Sequence, residues 1–258
     1  MRLRRRRRLG LGLGLGARVP SDRAPGGGAS SVHLWWQGLD RALPVVSASV
    51  TLEVLQAPVV SEVYFWALQA TFHDGARAHG VAHLGLQWNP RHPGSTAVNW
   101  GGYADGADVR SVLSGTPSEL PSEPADPNTR DYPWLVGEAH RLCIERGSSG
   151  WWGSVTGPDD VRRPVRQLLA GGDRLVDLVV WTEMFAGCQE PETVVRWTDP
   201  TFVLADGTAA RPPTMTPSFP REGCPNTDVR ATPDGLYQFT NRARTTRDWA
   251  VLSVPPNR

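Results

Sequence analysis

Residues 59 to 103 carry three strand-length runs in succession, VVSEVYFWALQATF, VAHLGLQWN and AVNWGGY. The first two split cleanly by parity into two faces. Period two marks extended chain, because successive side chains of a strand point to opposite sides of its sheet. In the first run Tyr64, Trp66, Leu68 and Phe72 share one face and Val63, Phe65 and Ala67 the other. Apolar residues on both faces predict a central strand, covered on both sides. In the second run Ala82, Leu84, Leu86 and Trp88 are expected to face the core, leaving His79, His83, Gly85 and Gln87 as a polar stripe on the opposite face.

The same alternation recurs on either side. Val46, Ala48, Val50, Leu52 and Val54 alternate with Ser47, Ser49, Thr51 and Glu53, the pattern of a half-buried antiparallel strand. In residues 174 to 186, RLVDLVVWTEMFA, one face holds Val176, Leu178, Val180 and Met184, and the other Asp177, Val179, Trp181, Glu183 and Phe185. Shorter strands are expected at TVVRW, TFVLADG, GLYQFTN and WAVLSV. The 27 Gly and 23 Pro fall between such runs rather than within helical periods. Only VRRPVRQLLAGG reads as a helical turn or two, stopping at Gly171-Gly172. The predicted fold is therefore all-β, a two-sheet antiparallel β-sandwich of jelly-roll or concanavalin-like type with at most one short helix.

One domain is expected over residues 32–258. Residues 1–31 begin with a run of Arg and continue as a Leu-Gly alternation, and three readings stay open: a poor export signal, a disordered basic arm, or low-complexity sequence upstream of the true start. The first makes the protein secreted; the others leave it cytoplasmic. No stretch approaches the ~20 apolar residues of a membrane span. Of the net charge of +1, residues 1 to 23 supply +7 through eight Arg and one Asp, leaving the remainder at −6. A mildly acidic body without a basic stripe argues against nucleic acid as a partner. All 27 basic residues are Arg, which reads as the codon usage of a GC-rich genome.

Cys143, Cys188 and Cys224 show no metal-ligand spacing. Cys143 sits in the strand-like RLCIER, whereas Cys188 and Cys224 lie in Gly/Pro-flanked loops where a disulfide can form. His79 and His83 stand ~13 Å apart along a strand, too far for one metal ion. The loop Asp105-Gly106-Ala107-Asp108 offers two carboxylates, short of a calcium shell, and reads as a turn. No metal or cofactor is expected. Residues 114 to 128 are rich in Pro, Ser and Glu and read as a long exposed loop bordering whatever the protein binds.

Tyr64-Phe65-Trp66, Gly85-Leu86-Gln87, the Trp100 strand and Tyr132-Pro133-Trp134 leading to Gly137 and Arg141 give the chain its resemblance to a mostly bacterial family, domain of unknown function 3472. Trp152-Gly153 and the strand with Glu183 and Phe185 extend it over roughly residues 60 to 205. The family pattern has Phe-Ser where this chain has Val98-Asn99. The resemblance implies a lectin-like β-sandwich in an exported protein, in a family that sometimes accompanies carbohydrate-active modules. It supplies no catalytic residues.

Eleven Trp against four Tyr and six Phe is an unusual balance. Most are core filler, but an indole on a sheet face also stacks on sugar rings. One binding face is expected to gather Gln87, Trp100, Tyr103, Trp152, Asp177, Trp181 and Glu183, making the chain a non-catalytic carbohydrate-binding module for a polysaccharide or glycan. A glycoside hydrolase is the alternative, and it needs two carboxyls about 5 to 9.5 Å apart. Asp177 and Glu183 are ~20 Å apart on one strand, so Glu183 needs Glu138 or Glu145 from a neighbouring strand. A third reading is a protein-binding module using exposed Trp and the 114–128 loop.

Overall fold

The computed structural model describes residues 29–39, 43–104, 111–122, 126–221 and 223–256. The basic segment 1–28 and the Asp105–Asp108 loop lie outside the described residues. Among the described residues sixteen strands follow in chain order: β1 (Ser30–Trp36), β2 (Val45–Gln56), β3 (Tyr64–His73), β4 (Ala78–Trp88), β5 (Thr96–Ala104), β6 (Thr129–Asp131), β7 (Ala139–Arg146), β8 (Trp151–Thr156), β9 (Arg162–Leu168), β10 (Arg174–Met184), β11 (Thr193–Leu204), β12 (Ala209–Ala210), β13 (Thr214–Ser218), β14 (Asp228–Thr232), β15 (Gly235–Thr240) and β16 (Leu252–Ser253). β1 thus begins two residues ahead of the boundary drawn from composition.

The strands form two antiparallel sheets. Sheet A runs β16-β13-β1-β10-β3-β4-β5-β6; sheet B runs β14-β15-β11-β2-β7-β8-β9, with β12 paired to β11. Their facing sides bury one continuous core. Trp66, Trp100, Trp151, Trp197, Tyr64, Phe72 and Phe202 are its largest members, all less than 2% exposed. Phe72 of sheet A stacks flat on Trp151 of sheet B with centroids 5.0 Å apart. Trp100 fits against Gly153 of the opposite sheet, where a Cβ would stand 2.6 Å from the indole. The glycine is therefore required by close approach between the sheets.

Parity predicts the core faces of β3 and β4, and of β10 beyond its bulge: Leu68, Leu84 and Val180 point inward, and Phe65 and Val179 outward into a separate apolar cluster, whereas before the bulge Leu175 takes the core place expected for Val176. The short helix expected at VRRPVRQLLAGG is absent. Arg162–Leu168 is strand β9, the edge of sheet B. Pro164 is tolerated there because an edge strand leaves every second N–H outside the ladder, and the register shift at Gly153/Ser154 falls opposite it. Pairing with β8 overrides the helical propensity of the Arg, Gln and Leu residues. Among the described residues the only helical turn is a three-residue 3-10 segment, Pro93–Ser95.

Cys188 and Cys224 are joined, with Cα atoms 5.3 Å apart, and Cys143 is free. The bond ties the loop after β10 to the segment leading into β14. It also sits at the start of β1, where the Cys224 N–H donates to Ser30 Oγ. The link spans 36 residues. On the chain-entropy model the double variant Cys188→Ser/Cys224→Ser is expected to lose roughly 3–4 kcal/mol of stability, measured by urea unfolding against the oxidised wild type.

Candidate functional site

Glu183 occupies the face of sheet A that points away from sheet B. Antiparallel register places Ser31 on β1 and Phe65 on β3 directly beside it, and Gln87 on β4 beside Phe65. The next row along the strands holds His33, Trp181, Ala67, Gly85 and Asn99, and the one after it Trp35, Val179, Gln69, His83 and Gly101. The middle row is thus small at Ala67 and Gly85, between bulky neighbours on both sides. The rings fold over that depression. Phe65 meets Trp181 at 4.9 Å and His83 at 5.4 Å, and Trp181 meets His83 at 5.8 Å, all edge to face. Phe65, Ala67 and Val179 are consequently fully buried although they lie outside the main core. Gly85 has a second reason to be glycine, since a Cβ there would sit 1.9 Å from the Trp66 carbonyl oxygen.

The polar groups of this face fall into two kinds. Some are saturated: Trp181 Nε1 donates to Gln69 Oε1 at 3.1 Å, and Trp35 Nε1 to Ser218 Oγ at 2.9 Å. Others are not. Neither the Glu183 carboxyl nor the His83 ring makes a hydrogen bond or ion pair with another side chain among the described residues. Glu183 is half-buried and no described side chain beside it donates to it, so burial pushes its carboxyl up to about 8. Burial lowers His83 and His33 to about 4 each, so both rings are neutral at pH 7. The Tyr103 phenol is raised by burial, then by the charges of Glu183 and Asp126. A neutral acid, neutral imidazoles and a neutral phenol line one aromatic-walled face.

Of the seven residues expected to share a binding face, Gln87, Tyr103, Trp181 and Glu183 lie together on the outward face of sheet A. Trp100 belongs to the core, fully buried; its parity follows Val98, which also points inward. Trp152 lies on the outer side of sheet B, because its neighbour Trp151 takes the core position. Asp177 is exposed at a bulge where β10 shifts register between Val176 and Val179, with φ of 51°. Glu138 and Glu145 cannot partner Glu183, since neither is on an adjoining strand. Glu145 pairs with Arg162 on sheet B, and Glu138 lies 3.8 Å from His140 Nε2. His79, expected in a stripe with His83, instead contacts Asp74 at 2.7 Å.

Sequence reasoning missed Asn89, whose Nδ2 donates to Gln87 Oε1 at 2.9 Å. The i, i+2 spacing of two amides was the available signal. It also missed how the 114–128 loop is fastened beside this face. Described parts of that loop bond to β9, with the Thr116 N–H donating to the Gln167 carbonyl at 2.8 Å and Arg166 to the Pro127 carbonyl at 2.7 Å. No cluster of three His, Cys, Asp or Glu side chains that could hold a metal occurs among the described residues, and no helix among them is long and apolar enough to cross a membrane.

No protein-family model and no curated protein sequence matches the chain. Among solved structures, scytalido-glutamic peptidase with a peptide-based transition-state analogue is 12% identical at a TM-score of 0.48, covering 82% of this chain and 98% of that one. SCP-B, a peptidase of the eqolisin family in complex with a tripeptide, is 11% identical at a TM-score of 0.42, covering 82% and 96%. Peanut lectin with a nine-residue peptide is 13% identical at a TM-score of 0.30, covering 63% and 75%. Likeness at this level is one of sandwich architecture and bears on neither substrate nor mechanism.

Proposed function

We propose that the chain is a hydrolase of amide-type bonds, with Glu183 as general acid and the Gln87 amide as donor to the carbonyl oxygen. The observation that carries this reading is Glu183 itself, a carboxyl without a hydrogen-bond partner among the described residues, raised to about 8 and set in an aromatic face. A structural carboxylate so placed would be a net cost, whereas an acid held protonated near neutrality is what proton donation to a leaving group requires. Water adds to the carbonyl carbon, and the tetrahedral adduct collapses as Glu183 gives its proton to the leaving nitrogen and the C–N bond breaks. The resulting carboxylate takes the proton shed by the added water oxygen, so one C–O bond forms for the C–N bond lost and the proton count closes on one group. Gln87, separated from Glu183 in the same row only by Phe65, supplies a neutral N–H where negative charge develops on oxygen.

A glycosidase of two carboxyls is less well supported, because the strands flanking Glu183 present Ser31 and Phe65. A glycan reading has one observation in its favour: the charges of Glu183 and Asp126 both act on the Tyr103 phenol. Trp181 offers little for stacking, being 6% exposed with Phe65, His33 and His83 packed around it. The disulfide supports an oxidising, extracellular setting.

Incubation of the oxidised protein with an unfolded protein and with soluble polysaccharides, from pH 3 to 9, separates these readings. New amino termini from the unfolded protein are expected, with the rate falling above about pH 8 as Glu183 loses its proton. Release of reducing ends alone, or of neither product, would contradict amide hydrolysis.

A further inference from the structure

The direction of the Gln87 amide follows from a group that cannot be reversed. The backbone N–H of Arg91 only donates, and it points at Asn89 Oδ1 at 3.2 Å. Asn89 must therefore turn its Nδ2 the other way, and that nitrogen meets Gln87 at 2.9 Å. Gln87 in turn must present Oε1 to Asn89, which leaves Nε2 and its two hydrogens as the end turned away from Asn89. Both side chains are nearly buried, Asn89 8% and Gln87 5% exposed, so water competes little for these bonds.

The surrounding turn holds the relay still. The Asn89 N–H donates to the Ser95 carbonyl at 2.7 Å, and the Asn89 carbonyl accepts from the His92 N–H at 3.0 Å. Trp134 Nε1 donates to the Gln87 carbonyl at 3.2 Å. Both ends of the Gln87-Trp88-Asn89 segment are thereby anchored, and the side-chain pair has one self-consistent orientation.

We infer that Asn89 is a positioning residue which fixes Gln87 as a donor, rather than an acceptor, toward the reacting carbonyl oxygen. The inference rests on the amide-hydrolysis reading for its catalytic meaning but not for its geometry. Replacing Asn89 by Asp keeps the shape and the acceptor for the Arg91 N–H, and replaces the donor facing Gln87 with a carboxylate oxygen. Gln87 then rotates to give Nε2 to Asp and turns its Oε1 lone pairs toward the developing oxyanion. Asn89→Ala only releases Gln87, which samples both orientations.

The test compares wild type, Asn89→Ala and Asn89→Asp in initial-rate hydrolysis of an unfolded protein, with side-chain amide exchange of Gln87 followed by 15N NMR. Loss of an oxyanion donor typically costs on the order of 100- to 1,000-fold in kcat, and that is expected for Asn89→Asp with KM little changed. Asn89→Ala is expected to lose about tenfold or less, since part of the population keeps the donor in place. In the Asp variant the Gln87 NH2 protons should exchange more slowly than in wild type. A packing role reverses the order, because Asp conserves the shape that Ala removes, so Ala worse than Asp overturns the inference. If wild type hydrolyses nothing, the hydrolase reading fails by itself. The NMR comparison then decides alone: slower exchange in the Asp variant upholds the orienting role of Asn89, and unchanged exchange overturns it.

Discussion

Replacing Glu183 by Gln is expected to abolish hydrolysis while making the protein more stable at alkaline pH. General acid catalysis by a positioned side chain is worth roughly 100- to 10,000-fold, and Gln keeps the shape without the proton. The stability effect follows from linkage. The Glu183 carboxyl is raised from 4.5 to about 8 in the folded protein, so between these values the unfolded chain has lost its proton and the folded chain retains it. Stability falls as pH rises through that window. The penalty is absent below 4.5 and complete above about 8. Allowing for the solvent that reaches an open sheet face, about 2–4 kcal/mol is expected at pH 8.5. Urea unfolding of wild type and Glu183→Gln at about pH 4 and about pH 8.5 measures it. Equal stabilities are expected at the acidic pH and a more stable variant at the alkaline one. Identical curves at both would show that the carboxyl is not desolvated.

The second large effect is expected from Gln238→Leu. Gln238 belongs to β15 of sheet B, is 1% exposed, and reaches across the core into sheet A. Its Oε1 accepts from Thr182 Oγ1 at 2.8 Å and Trp197 Nε1 at 2.9 Å, and its Nε2 donates to the Val32 carbonyl at 3.1 Å. One amide thus satisfies buried groups on β1, β10 and β11. Leu fills a similar volume but strands the indole N–H and the threonine hydroxyl away from water. Each stranded group costs about 1–3 kcal/mol, so a loss of about 3–5 kcal/mol is expected, equivalent to roughly 10 °C in Tm for a domain of this size. A loss below about 1 kcal/mol would mean that the neighbours find other partners. Because Thr182 precedes Glu183, the same amide also supports from beneath the row that holds Glu183.

Period-two alternation makes much of this structure legible. It places Trp66, Leu84 and Val180 in the core and puts Gln87, Trp181 and Glu183 on outward faces, because a strand fixes the side of every residue once one is known. It does not show that the outward faces of β3, β4 and β10 adjoin. That depends on β10 inserting between β1 and β3, a pairing between residues more than a hundred positions apart. Nor does it show that a second apolar cluster covers the outer face, so His83 and Gln87, expected as a polar stripe, are 5% exposed each. Trp100 and Trp152 depart from expectation for a related reason. Composition marks a ring as noteworthy, while only the parity of Val98 and Trp151 decides which side of which sheet it takes. At β9, Pro164 suggests a helix start in the sequence because edge position, which makes proline acceptable in a sheet, is a property of the assembled fold.

Glu183 must be a neutral acid in the resting protein if it is to donate a proton. Titration of the glutamate side-chain carboxyls by 13C NMR, with Glu183→Gln to assign the resonance, measures this directly. A midpoint near 8 is predicted for Glu183. A midpoint at the ordinary value of 4.5 would leave a plain surface carboxylate and contradict the proposed role.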